Sequence, residues 1–132
     1  MFKFAGKRPN NLGVTAGKLA SCPSTPNCVC SQIDKSDNQH YIEPITYEGS
    51  PQDALTKLKG VIQGMERTAI ITEEANYVYA EFTSKLMGFV DDVEFYLDET
   101  ENVIQVRSAS RLGKSDLGVN RQRVEEIRKL MA

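Results

Sequence analysis

The sequence predicts an α+β fold in which two amphipathic helices cover an antiparallel sheet, made of a four-strand meander plus a possible edge strand. Two alternating hydrophobic runs joined by a polar turn indicate a hairpin near the C-terminus, and segments with helical periodicity lie before and after the strands. Strands that follow one another through short connections pair antiparallel, and the helices bury their apolar stripes on one face of the sheet. The predicted order is β-α-β-β-β-β-α.

The chain is long enough for one hydrophobic core. Its 132 residues predict a single domain over 1–132, with an N-terminal arm and cysteine-containing loop at 1–32 and an α+β core at 38–132. A formal net charge of −2 argues against a general nucleic-acid binder, because such proteins carry a strong basic excess. No apolar run is long enough to span a membrane, and the first residues lack an apolar signal region. We therefore expect a cytoplasmic protein.

The first helix has the clearest local signals. Ser50 is a favourable N-cap, Pro51 suits the first helical position, and Gly64 marks the end. Before this helix, the sequence predicts a loop at 22–32 and an edge strand at 40–47, where a proline cannot donate to a ladder. After it, strands are predicted at 67–73, 77–86, 89–97 and 103–110, and a final helix at 119–131.

The predicted hairpin places its polar residues on two faces. Asp92 and Glu94 lie on the polar face, and Arg107 on the second strand is directly or diagonally opposite both of them. Asp91 falls on the otherwise apolar face, on the side of two serines of the second strand. A carboxylate there requires hydrogen-bond donors, because its burial is otherwise costly.

Asp91, Asp92 and Glu94 are the candidate catalytic residues if the protein is an enzyme, since carboxyl groups serve acid–base chemistry. Only Asp92 and Glu94 share a face, with Arg107 as their nearest predicted neighbour. We favour a cross-strand charge cluster, because structural ion-pair networks resemble sites of this kind. No phosphate loop, dinucleotide fingerprint or Ser-His-Asp arrangement supports a named reaction.

The segment 107–121, here called the Arg/Ser loop, leads into the last helix. Free N–H groups at a helix N-terminus favour anions, so this loop is a candidate site for a carboxylate or phosphate group. The alternative is that Asp116 caps the helix and that the arginines pair with the hairpin carboxylates. The candidate ligand-binding residues are Arg107, Ser108, Ser110, Arg111, Asn120 and Arg121.

The cysteines are crowded into one short segment. Cys22, Cys28, Cys30 and His40 are the ligand types of a tetrahedral zinc site, but their spacing matches no recognised finger. We favour a loop with one Cys22–Cys28 bridge or buried thiols, and expect no metal and no cofactor. His40 is also the one histidine that could activate a cysteine nucleophile, although nothing in the sequence places them in contact.

Two long segments resemble the signature of a known family. They are CPSTPNCVCSQ in the first quarter of the chain, and FVDDVEF followed by IQVRSASRLGKSDLGVNRQRVEEIR near its end. Both are similar to DUF1499, a family of uncharacterised domains, and the resemblance runs from about Leu12 to Met131. The lead-in GKRPNNLGV resembles members from cyanobacteria and plants. The family pattern often has serine at the position of Cys30, which argues against a role that needs all the cysteines.

A non-catalytic binding module fits these observations best. The chain has one histidine, no catalytic motif and a concentration of polar residues in its last third. We expect the Arg/Ser loop and the polar face of the hairpin to bind a small anionic ligand or a protein. The alternative is a hydrolytic enzyme in which Asp91 or Asp92 is the acid–base group.

Overall fold

The computed structural model describes residues 6–85, 88–113 and 117–132, and its elements follow the order β-α-β-β-β-β-α. All strand pairs are antiparallel, in the sheet order β1-β5-β4-β3-β2, which confirms the predicted α+β fold. The strands are β1 (Cys28–Cys30), β2 (Thr68–Glu74), β3 (Tyr77–Thr83), β4 (Val90–Asp98) and β5 (Val103–Ser110), and the helices are α1 (Pro51–Gln63) and α2 (Val119–Met131).

Helix α1 begins and ends where its sequence signals predict. The Ser50 hydroxyl accepts a hydrogen bond from the backbone N–H of Asp53 at 3.0 Å, Pro51 opens the helix, and Gly64 follows its last residue. Apolar residues of α1 and α2 share one buried core with the inward side chains of β3, β4 and β5. In the described part of the chain, neither helix is long and apolar enough to cross a membrane.

The edge strand lies earlier in the chain than the sequence predicts. The expected strand at 40–47 is wrong, and the expected loop at 22–32 is interrupted by β1, which forms one edge of the sheet and pairs with β5. Segment 40–47 contributes isolated bridges instead, at Tyr41 and Ile45. Pro44 lacks the N–H that a ladder in this segment would need, whereas β1 contains no proline and pairs along β5.

Two residues that the sequence predicts at the ends of elements lie outside the residues that the structure describes. Strand β3 ends at Thr83, so the predicted strand is too long at Ser84 and Lys85, and its predicted end at Leu86 is outside the described residues. Asp116, the predicted cap of the last helix, is also outside them. Gly118 precedes α2 in a left-handed backbone conformation, with a φ of 83°.

The N-terminal arm, from residue 6 onward, covers the second face of the sheet. Leu19 packs with two tyrosines of β3 in a small apolar cluster. The backbone N–H of Gly13 donates to Glu94 at 2.7 Å, and Arg8 donates to Glu81 at 2.8 Å. The polar face of the hairpin is therefore largely buried beneath the arm.

Candidate functional site

The arm-covered face holds a network of carboxylates and guanidinium groups. Arg111 donates to Asp92 at 2.6 Å and to Glu81 at 2.7 Å. The Tyr79 hydroxyl lies 2.6 Å from Asp92 and 3.0 Å from Glu81, and it can donate its single proton to either carboxylate. Arg8 binds Glu81 from the arm. The hydrogen bond to Asp92 is the main reason that the pKa of Arg111 is raised, and burial raises the pKa of Tyr79. These charged groups already satisfy one another.

Glu94 and Arg107 form a looser pair on the same face. Glu94 Oε2 accepts hydrogen bonds from the Tyr77 hydroxyl at 2.5 Å and from the Gly13 N–H at 2.7 Å. Arg107 Nη1 lies 3.9 Å from Glu94 Oε1, while Nη2 donates to the Ser21 carbonyl at 3.2 Å. Within the described residues, Glu94 Oε1 and Arg107 Nε are buried and have no hydrogen-bond partner. This pair is therefore less well satisfied than the network around Arg111.

The buried position of Glu94 predicts a specific pH dependence of stability. Burial raises the pKa of this carboxyl, although hydrogen bonds from Tyr77 and the Gly13 N–H oppose the shift. The folded protein therefore binds this proton more tightly than the unfolded chain does. The stability that results is present at low pH and is lost as pH rises from the ordinary value of 4.5 through the raised pKa. We expect the difference in unfolding free energy between wild type and Glu94→Gln to decline over that interval in denaturant titrations.

Tyr77→Phe is the matched variant for this experiment. It removes a donor to the Glu94 carboxylate, so the pKa of Glu94 is expected to rise further and the decline to extend to higher pH. Parallel pH profiles for the wild type and Glu94→Gln would show that this carboxyl does not titrate abnormally.

The strand register explains which arginine each carboxylate meets. Glu94 lies directly opposite Arg107 and Asp92 lies opposite Ala109, all on the shared face that the alternation predicts. Arg107 and Arg111 flank Ala109 on the same face, so both are diagonal neighbours of Asp92. The ion pair forms with Arg111. The sequence assigned this residue to ligand binding, and the structure places it in a charge network.

The opposite face carries a second polar cluster, between β5 and α2. Asp91 lies on the side of the two serines, as predicted, directly opposite Ser110, and pairs with Arg123 at 2.8 Å. The Ser108 hydroxyl donates to Asn120 Oδ1 at 2.6 Å, and Asn120 Nδ2 donates to the Ser110 hydroxyl at 2.9 Å. Ser108 and Asn120 are fully buried. These bonds fasten the first turn of α2 to the sheet.

Arg121 and His40 hold the segment that precedes α1. Arg121 donates to three backbone carbonyls within 38–41, the shortest bond being 2.8 Å. His40 Nε2 lies 2.8 Å from the Thr25 carbonyl, and Nδ1 lies 2.8 Å from the Asp37 carboxylate. Burial alone would lower the pKa of His40, but the bonds to Asp37 and Thr25 outweigh it and raise the pKa. Both partners are acceptors, so the protonated ring is satisfied where it lies.

The cysteine segment is a loop closed by a disulfide. Cys22 and Cys28 are bonded to each other, in agreement with the bridge interpretation. Cys30 is a buried thiol, and burial raises its pKa, which makes it a poor nucleophile. The disulfide removes two sulfurs from the possible zinc ligands. Among the described residues, no cluster of three or more histidine, cysteine or acidic side chains could hold a metal ion.

An open groove lies where the arm leaves the polar face uncovered. It has a volume of about 580 Å³, between arm segments 16–18 and 31–34 and the turn end of the β4–β5 hairpin. The Ser31 hydroxyl donates to Gln105 at 2.8 Å, and Gln105 donates to Asp98 at 3.0 Å. These bonds link the arm to the hairpin and hold the floor of the groove. The lining also includes Lys18, Asp34, Tyr96, Thr100 and Glu101.

Comparison with protein families agrees with the two sequence segments described above. Residues 18–131 match the model of a family described as a protein of unknown function, DUF1499. The chain belongs to the DUF1499 family. A comparison of this DUF1499 chain with curated proteins finds no match. The family assignment therefore carries no activity with it.

In this DUF1499 chain, the predicted site residues do not form one site. The catalytic candidates divide between the two faces, with Asp92 and Glu94 beneath the arm and Asp91 beside α2. The ligand-binding candidates lie in three places: Arg107 and Arg111 beneath the arm, Ser108, Ser110 and Asn120 between β5 and α2, and Arg121 against segment 38–41.

Several residues that build these clusters are not among the site residues that the sequence predicts. Tyr77, Tyr79 and Glu81 alternate along β3, so strand periodicity alone could have placed them on the polar face. Ser31 and Gln105 are 74 residues apart, and no local pattern connects them. The groove between the arm and the β4–β5 hairpin was therefore not predictable from local sequence patterns.

Proposed function

We propose that this protein is a non-catalytic binding module whose ligand occupies the groove on the polar face of the C-terminal hairpin. The observation that carries the proposal is the incomplete cover of that face, because the arm leaves its turn end open. The groove volume of about 580 Å³ falls within the range of small-molecule sites, which is roughly 300–1,000 Å³.

The groove suits a ligand better than the Arg/Ser loop does. Arg111 is already bound to Asp92 and Glu81, and Arg121 is bound to backbone carbonyls. An anion that recruited Arg111 would leave a buried carboxylate without its partner, which is strongly unfavourable. The groove can accept a ligand without breaking these bonds.

The charges of the lining indicate what kind of ligand the groove accepts. Among the described residues that line the groove, the acids Asp34, Asp98 and Glu101 outnumber the cation Lys18, so the groove favours neutral or cationic molecules. Tyr96 adds an aromatic ring and a hydroxyl group. We therefore expect a small polar molecule with amino or hydroxyl groups in place of the anionic ligand that the arginines predicted.

A hydrolytic enzyme remains the alternative, and one observation favours it. The raised pKa of Glu94 is the kind of shift that acid–base groups show. Against it, Glu94 lies beneath the arm, and the other two catalytic candidates each have a guanidinium partner, Arg123 for Asp91 and Arg111 for Asp92. The test is a broad hydrolase screen of the purified protein. Robust turnover that the Asp92→Asn variant abolishes would contradict the binding-module proposal.

The groove is tested with spermidine as a cationic probe and citrate as an anionic one. In amide NMR titrations, we expect spermidine to shift the signals of Gly17 and Thr100. Glu101→Arg should weaken spermidine binding about tenfold, a loss of roughly 1.4 kcal/mol. Glu99→Arg changes the net charge equally, but Glu99 lies outside the groove lining, so binding should stay within about twofold.

Two results would overturn this assignment. Equal losses in Glu101→Arg and Glu99→Arg would indicate that spermidine senses only the overall charge of the turn. Citrate shifts centred on Arg107 and Arg111, without any effect of spermidine, would place ligand binding in the Arg/Ser loop.

The cytoplasmic location expected from the sequence stays a prediction. The Cys22–Cys28 disulfide supports an oxidising compartment instead, because reducing systems keep most cytosolic thiols unpaired.

A further inference from the structure

Exposed apolar side chains are concentrated at the end of the sheet opposite the β4–β5 turn, where β4 begins and β5 ends. Leu117 is 91% exposed, Leu112 and Val119 are each 42% exposed, and Phe89 is 39% exposed. Scattered single apolar residues on a surface need no explanation, but a group on neighbouring loops does.

The sheet register brings these residues to one end of the molecule. Val90, which follows Phe89, pairs with Thr83 at the end of β3, and its carbonyl accepts a hydrogen bond from the Arg111 N–H at 3.0 Å. Leu112 is the next residue after Arg111. Helix α2 begins at this same end, because its first turn is bonded to Ser110 at the end of β5.

Leu117 has a backbone conformation and an exposure that both disfavour leucine. Its φ of 54° lies in the left-handed region, where bulky side chains are uncommon and glycine or asparagine is preferred. Its side chain is almost fully in water, so leucine at this position gains nothing from burial in the free protein. A strained residue of this kind is a reason to look for an external contact.

Two exposed lysines lie near this apolar end, together with an arginine that is paired with an exposed glutamate. Lys7 adjoins the glycine that packs against Leu112, and Lys85 lies in the β3–β4 connection. Arg67 is joined to the end of β3 through its backbone carbonyl, and its side chain pairs with Glu66. Lys7 and Lys85 are exposed, and so is Arg67.

The opposite end of the sheet is acidic. The last two residues of β2, Glu73 and Glu74, are exposed there, and so are Glu99 and Glu101 in the β4–β5 turn. Lys59 lies 3.5 Å from Glu73. The small net charge of −2 therefore conceals an uneven distribution along the strand direction. A negatively charged surface would attract the apolar end and repel the acidic one.

We infer that the apolar end, formed by Phe89, Leu112, Leu117 and Val119, is a docking surface for an anionic lipid bilayer. Apolar side chains on separate loops can enter a bilayer without matched shapes, whereas a protein partner requires a contiguous complementary surface. Nearby lysines add attraction to anionic headgroups, and the association is peripheral and reversible. This inference is independent of the groove and its ligand.

The test is co-sedimentation of the full chain with vesicles of phosphatidylglycerol and phosphatidylcholine, compared with phosphatidylcholine alone. We expect binding to the anionic vesicles, a marked reduction at high salt, and at least a fivefold lower partition coefficient for Leu117→Asp. Aspartate is compatible with the left-handed backbone, so this variant should keep the wild-type melting curve.

Leu130→Asp is the control, because Leu130 is 46% exposed at the far end of α2, roughly 16 Å along the helix from Val119. It introduces the same charge and should bind vesicles within about twofold of the wild type. Absence of wild-type binding, or equal losses in both leucine variants, would overturn the proposal. Self-association that Leu117→Asp abolishes, without vesicle binding, would assign this end to contact between copies of the chain.

Discussion

Replacing Arg111 with methionine is expected to lower the free energy of unfolding by about 3–5 kcal/mol, the usual loss when one member of a buried ion pair is removed. The Arg111 side chain is 7% exposed and binds Asp92, whose side chain is 2% exposed, at 2.6 Å. Methionine fills a similar volume but leaves this carboxylate and Glu81 without their inner cation. Denaturant titration of the purified variant measures the loss.

The arm supplies a matched control. Arg8 binds the same Glu81 carboxylate at 2.8 Å, but its side chain is 52% exposed, so Arg8→Met should change stability far less than Arg111→Met. Asp92→Asn should also destabilise, and the double variant Arg111→Met/Asp92→Asn should lose less than the sum of the single variants. Additive losses, or an Arg111→Met variant as stable as the wild type, would return Arg111 to the group of candidate ligand-binding residues.

Replacing Asn120 with alanine is expected to cost about 3 kcal/mol, since unsatisfied buried groups cost about 1–3 kcal/mol each. Asn120 is fully buried and bonds the Ser108 hydroxyl, the Ser110 hydroxyl and, at 3.2 Å, the Asn27 carbonyl. Its Oδ1 also accepts a bond from Arg123 at 3.0 Å. Alanine leaves all of these groups without their shared partner, so α2 should detach more readily from the sheet.

Ser110→Ala is the comparison for Asn120→Ala. Ser110 is only half-buried and its hydroxyl accepts one of the bonds from Asn120, so this variant should lose about 1 kcal/mol. Hydrogen exchange of the α2 amides should accelerate in Asn120→Ala and much less in Ser110→Ala. Equal stability of the two variants would mean that Asn120 is not the residue that fastens this helix.

Local patterns in the sequence determined most of the secondary structure. Ser50, Pro51 and Gly64 mark the ends of α1 through interactions within a few residues, and the structure retains each of them. Strand alternation likewise placed Glu94 and Arg107 on one face and Asp91 on the side of Ser108 and Ser110, because side-chain direction follows the two-residue period. These features depend on neighbours in the chain or across one hairpin.

Only the tertiary structure decided which polar residues meet. The path of the arm brings Arg8 to Glu81 and Gly13 to Glu94, and no local periodicity specifies such distant contacts. The same path leaves the groove open and makes β1 the edge strand. The Arg/Ser loop appeared as one polar site in the sequence because its residues are consecutive. In the fold, the end of β5 directs them to opposite faces, where nearby carboxylates and carbonyls bind them, since buried charges require close partners.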